Sequence, residues 1–247
     1  MAQLDIAYAT TKSWLIDLIQ DVGADAWDTL VPATPQWTVR DVVAHVTGLA
    51  STAADGTIPT DLNLLEQFRD DEVVAARNAL ADGQVERRRA QSPADILAEW
   101  DAAEPILLDR MRGNVPGADP LPLGFDAVLV TDVCVHGDDV ASALGRTSDR
   151  TSAATGIALA TYAFGVDYRL RVFGLPALTF QYDGKERTIG DGPPHATVSA
   201  DRWELLRVVA GRRSRSQIEA LAWTGDSEPY LGLPPAYGER LDDLIEA

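Results

Sequence analysis

From the N-terminus to about residue 173 the apolar positions recur at helical spacing. Trp14, Leu15, Leu18 and Ile19 fall at i, i+1, i+4 and i+5, one stripe that can pack against a core. A second helix is predicted to start near Thr38, which can cap it, with Asp41 three residues on answering as a short capping box. Residues 60–82 read as a third helix after a loop holding Gly56 and Pro59. Ser92-Pro93 places a capping residue before a first-turn proline, and the helix it opens runs through Trp100 to about Met111, with a kink expected at Pro105. Residues 113–123, rich in Gly and Pro, predict a loop. The following stretch, FDAVLVTDVCVHGDDVASAL (125–144), is apolar on almost every side, as suits a helix in the middle of a bundle, and a further helix is expected over roughly 152–173.

After Pro176 the period changes. Residues 177–190 form two alternating segments joined by Asp183-Gly184, which suits a tight hairpin turn, and HATVSA (195–200) reads as a third strand. Two amphipathic helices are expected next, Arg202 to Ala210 and about Ser216 to Trp223. The pattern therefore predicts a two-domain α+β protein: a helical bundle over 1–173, then a small α+β domain over 177–247.

Charge narrows the functional classes. The chain of 247 residues carries a formal net charge of −17, which excludes a generic binder of duplex DNA or of anionic membranes. Its basic residues are almost all arginine, the lysines being Lys12 and Lys185 alone, as GC-rich codon usage would produce. Residues 201–215 stand apart, with five arginines against Asp201 and Glu204, a local excess that can draw a small anion. The lone cysteine, Cys134, excludes an intrachain disulfide. Asp5 and Lys12 interrupt any signal-peptide core, and no apolar run approaches a membrane span, so a soluble, cytoplasmic protein is the expectation.

The three histidines are His45, His136 and His195. Asp132 and His136 lie four apart on the buried helix, about 40° apart around its axis, so both side chains leave the same face one turn apart. Such a pair can hold one divalent ion, with oxygen and nitrogen donors that suit zinc. It can equally be a plain hydrogen-bonded pair. His45, in the apolar VVAHV of the second helix, is the available third donor. Three protein donors leave a coordination position open, as catalytic sites do. Asp139 shares their face and can orient a donor, or else be a solvated acid near the helix end. Cys134 points about 160° away and reads as a core residue. His195 opens a strand after Gly192-Pro193-Pro194, where exposure is expected.

WTVRDVVAHV (37–46) together with TDVCVHGDDVASALG (131–145) resembles the mycothiol-dependent maleylpyruvate isomerase family, whose N-terminal domain is a DinB-like metal-binding bundle. The resemblance extends over nearly the whole chain, the C-terminal domain being a small α+β module in that family. It implies metal ligands at His45, Asp132 and His136, with Asp132 standing where the family typically has the longer Glu. It assigns Asp41 to helix capping. It implies mycothiol, the small cysteine-containing sugar thiol of actinobacteria, as cosubstrate, its thiolate stabilised by a divalent metal such as zinc. The activity implied is isomerisation or thiol S-transfer on a small electrophilic, anionic substrate. AGRR (210–213) resembles a family segment that supplies a functional arginine, which points to Arg212, with Arg213 and Arg207 beside it. Surface arginines following a helix are the plainer reading of the same segment.

Two other functions stay open on the sequence. One is a non-catalytic module whose α+β domain holds a lipid or other apolar ligand; the second is a hydrolase in which the same metal activates water. No nucleic-acid or membrane partner is expected.

Overall fold

The computed structural model describes residues 3–59, 65–115, 121–232 and 240–246. Its elements are α1 (Leu4–Ile19), β1 (Leu30–Val31), β2 (Thr34–Thr38), α2 (Val39–Asp55), α3 (Asp71–Arg88), α4 (Pro93–Met111), α5 (Phe125–Ala143), α6 (Ala153–Val172), β3 (Pro176–Tyr182), β4 (Lys185–Ile189), β5 (Asp191–Ser199), α7 (Arg202–Val209), α8 (Arg215–Glu219) and β6 (Ala222–Gly225). The described residues pack as two compact units, one formed by 1–62 with 75–149 and the other by 63–74 with 150–245. Among them, no helix is long and apolar enough to cross a membrane.

In the first unit α5 packs on α1 and α2, and α4 closes the ring by packing on the same two helices. Helix α5 is the central member, buried from Phe125 through Ala141 on nearly all sides. Two capping boxes set where α2 and α4 begin. Thr38 accepts from the Asp41 amide while the Asp41 carboxylate accepts from the Thr38 amide, and Ser92 with Asp95 repeats the exchange ahead of Pro93. Helix α2 ends at Gly56, whose φ of 71° is a left-handed conformation that glycine adopts without a side-chain clash. Across the core the Trp100 indole donates to the Tyr8 hydroxyl at 2.8 Å, and Lys12, buried, reaches Asp101 and Glu104 at 2.6 and 2.8 Å.

The expectation of a helix over 60–82 is corrected to Asp71–Arg88; residues 60–64 lie outside the described residues. The Asp70 carboxylate accepts from the Glu72 amide and marks the true start. Acids in the first turn and Arg87 and Arg88 in the last complement the helix dipole. An apolar stripe could not locate this helix, because its buried residues are Gln84, Val85 and Arg88.

In the second unit the sheet order is β4-β3-β5-β6, with β3 antiparallel to β4 and parallel to β5. The β3–β4 hairpin turns at Asp183 and Gly184, both at positive φ, as the dipeptide predicts. Helix α6, which the sequence pattern groups with the bundle, packs instead on α7 and β4, so residues 150–173 belong to the second unit by contact. The helix expected over 216–223 is also corrected. It stops at Glu219, and Trp223 lies in β6 opposite Val198, its indole donating to the Ile218 carbonyl at 2.8 Å and stacking on Tyr230. Pairing with β5 overrides the helical periodicity there.

Gly165 of α6 faces the buried Phe68 ring, and a methyl built there would enter that ring's van der Waals envelope. Gly165→Ala gains helix propensity of about 1 kcal/mol but overpacks this contact, at a cost of about 1–3 kcal/mol. A lower urea midpoint is expected for the variant; a higher one would show that Phe68 yields freely.

Candidate metal centre

The cap at Thr38 puts Trp37 just before α2 and His45 two turns into it. The Trp37 ring, itself buried, lies 5.1 Å from the His45 ring and 6.0 Å from the His136 ring, centroid to centroid. Helix α5 supplies Asp132 and His136 from one face, as their spacing predicts. His45, Asp132 and His136 each bring one donor atom into a group whose members all lie within 4.8 Å of one another. His45 Nε2 is 3.3 Å from Asp132 Oδ2, and His136 Nε2 is 3.8 Å from Asp132 Oδ1. Donors around a tetrahedral zinc stand about 3.3 Å apart, so little closure would complete the set.

The outer contacts fix the rings. His45 Nδ1 lies 2.7 Å from Gln84 Oε1, so a neutral His45 presents the lone pair of Nε2 towards Asp132. Asp139 is fully buried with Oδ2 3.2 Å from His136 Nδ1, near enough for an ionic contact but without hydrogen-bond geometry, since His136 Nδ1 is buried with no hydrogen-bond partner. Asp132 Oδ2 is buried without a hydrogen-bond partner. Nε2 of His45 and Oδ2 of Asp132, 3.3 Å apart, repel as two lone pairs unless a proton or a metal ion lies between them. Burial pushes the Asp132 carboxyl up, but the His45 and His136 imidazoles outweigh it and hold it below the usual carboxylate range. Of the three, only Asp132 keeps appreciable exposure, 21% of its side chain, giving the cluster an accessible side.

Asp41 is engaged entirely in the cap, and Cys134 is buried in the core outside the donor group. His195 is about half exposed beside Asp226. Arg212, Arg213 and Arg207 are all buried, which corrects the reading of them as surface arginines. Arg212 Nη1 donates to the Ala210 carbonyl at 2.7 Å, and Arg213 grips Glu204 with Nε and Nη2 at 2.5 and 2.8 Å. Within the second unit, the space enclosed among Val166, Phe180, Val198 and Trp223 is about 20 Å³, enough for roughly one water.

Sequence reasoning missed Gln84. A lone glutamine on a polar helix carries no periodic mark, and its value depends on α3 lying against α2.

A helical bundle with a His-Asp-His group able to hold a metal ion, followed by a small α+β unit, is the architecture of this chain. The sequence profile of the mycothiol maleylpyruvate isomerase N-terminal domain matches residues 12–141, more than half the chain, and the chain belongs to that family. Two crystal structures of the mycothiol-dependent maleylpyruvate isomerase share the fold. A histidine-to-alanine variant matches with a TM-score of 0.60 at 13% identity, and a second structure with 0.57 at 15%; in each case 90% of this chain and 91% of the other are covered. No curated protein sequence matches the chain.

Beside the centre, Arg88 and Ser51 both hydrogen-bond Glu99. Burial pushes the Glu99 carboxyl up, but these bonds more than offset it and hold it below the usual range. A depressed carboxylate stabilises the fold above its ordinary pKa and loses that contribution as the pH falls through the depressed value. The Tm deficit of Glu99→Gln should therefore be largest at neutral pH and shrink below about pH 4. A deficit unchanged from neutral pH to pH 3 would remove the ion pair as its source.

Proposed function

We propose that this chain is a metal-dependent enzyme that uses the thiol of mycothiol to isomerise, or to be transferred onto, a small electrophilic and anionic substrate. The observation that carries the reading is the buried convergence of His45, Asp132 and His136, in a chain of the mycothiol maleylpyruvate isomerase family. A divalent cation such as zinc, held by these three residues, would stabilise the thiolate of the cosubstrate at neutral pH. A thiolate that adds to a polarised double bond and leaves again after rotation about the resulting single bond isomerises the substrate; one that stays attached has been transferred.

The other residues act by position. Gln84 orients the His45 ring, the Asp139 carboxylate lies against the His136 ring, and the buried Trp37 indole sits beside both rings. Arg212 is assigned to the substrate's anionic group, because a guanidinium fork can pair with a carboxylate through two parallel hydrogen bonds.

Protein prepared with ample zinc should carry about one equivalent of divalent metal, lost in His45→Ala and His136→Ala. Turnover of maleylpyruvate should require mycothiol, and Arg212→Ala should raise the KM for substrate at least tenfold. Metal-free protein from a metal-replete preparation would overturn the metal reading. Metal-dependent turnover without any thiol would replace this activity with hydrolysis.

A further inference from the structure

Helix α3 exposes a strongly polar surface, and two of its three buried side chains, Gln84 and Arg88, are polar too. Both are spent on one contact. Gln84 Oε1 meets His45 Nδ1 at 2.7 Å, and an amide oxygen only accepts, so this contact selects the ring form with its hydrogen on Nδ1. Arg88, one turn on, donates from Nη1 to the Gln84 carbonyl at 3.0 Å and from Nε to Glu99 at 3.1 Å. Glu99 in turn accepts from Ser51 of α2 at 2.7 Å. The backbone of α3 at Gln84 is thereby tied to both α4 and α2.

Gly48, one turn after His45, makes the approach sterically feasible. A Cβ there would stand 2.7 Å from Gln84 Cβ, 2.9 Å from its Cγ and 2.7 Å from Arg88 Nη1. The absence of a side chain at one α2 position thus sets how near α3 can come.

The geometry points to Gln84 as the positioning residue that locks His45 in the Nδ1–H tautomer and keeps Nε2 as a donor atom, with Gly48 and Arg88 holding Gln84 in place. The role rests on the metal-centre reading above. An amide does this without adding charge. Two neutral imidazoles and one carboxylate leave a divalent ion with one net positive charge, which suits an anionic thiolate.

The test uses the full chain with ¹⁵N-labelled histidine, read by long-range ¹H–¹⁵N NMR in the zinc-free state, and zinc affinity by competition with a chromophoric chelator. Where the ring is neutral, wild type and Gln84→Glu should show His45 as the Nδ1–H tautomer. Gln84→Met, of similar shape but lacking the acceptor oxygen, should lose that preference and bind zinc about 10–100-fold more weakly. Should Gln84→Met not fold, Gln84→Asn withdraws the amide by one methylene and gives the same readout. An Nε2–H tautomer in the wild type, or a Gln84→Met protein with tautomer and zinc affinity unchanged, overturns the assignment. A wild type that binds no zinc but whose tautomer shifts in Gln84→Met would keep the role of Gln84 and sink the metal reading instead.

Discussion

Lone pairs converge inside the bundle, where only Asp132 keeps partial access to water. Moving a carboxylate out of water costs several kcal/mol unless it is paired, and imidazole nitrogens facing it as acceptors add to that cost. The bundle nonetheless holds Asp132 between His45 and His136 and covers the rings with Trp37. A positive charge at that point turns the conflict into attraction. The surrounding contacts, the Thr38–Asp41 cap that sets the start of α2, the Gln84 bond and the buried Asp139, serve to present the acceptors to it.

Asp132 is shorter by one methylene than the glutamate that the family resemblance implies at this position. Its carboxylate still spans both rings, one oxygen towards each, because α5 packs directly against α2. On the opposite side of His45, α3 is held by directional polar contacts more than by buried hydrocarbon, so its position tolerates few substitutions at Gly48, Gln84 and Arg88.

Much of this was legible in the sequence, for identifiable reasons. Helix α1 announces itself through 3.6-residue periodicity, α2 and α4 through the capping residues Thr38 and Ser92, α5 through its long apolar stretch, and the hairpin through Asp183-Gly184. Asp132 and His136 are readable as a pair because helical geometry alone puts them on one face. Where tertiary contact decides, the sequence was silent. Trp223 joins a strand because β5 is there to pair with it, and α3 is displaced from its expected span because its inward face is polar. The arginines near Trp203 looked like surface charge, since nothing local shows that Glu204 and the Trp203 ring take Arg213 into the interior. Gln84 was invisible because its partner is 39 residues away and its access depends on a missing side chain.

The nine residues from Trp37 to His45 carry a cover, a helix start and a donor atom on one continuous stretch of backbone, and Asp132 to Asp139 carry two donors and a buried acid on another. Within each stretch, relative placement follows from helix geometry and not from the rest of the chain. Assembling the centre then needs one long-range condition, that α2 lie against α5. Loops, the outer faces of the helices and most core side chains can drift while that single adjacency persists. The donor group thus asks little of the rest of the sequence, in a chain that keeps the fold of its solved relatives at only 13–15% identity.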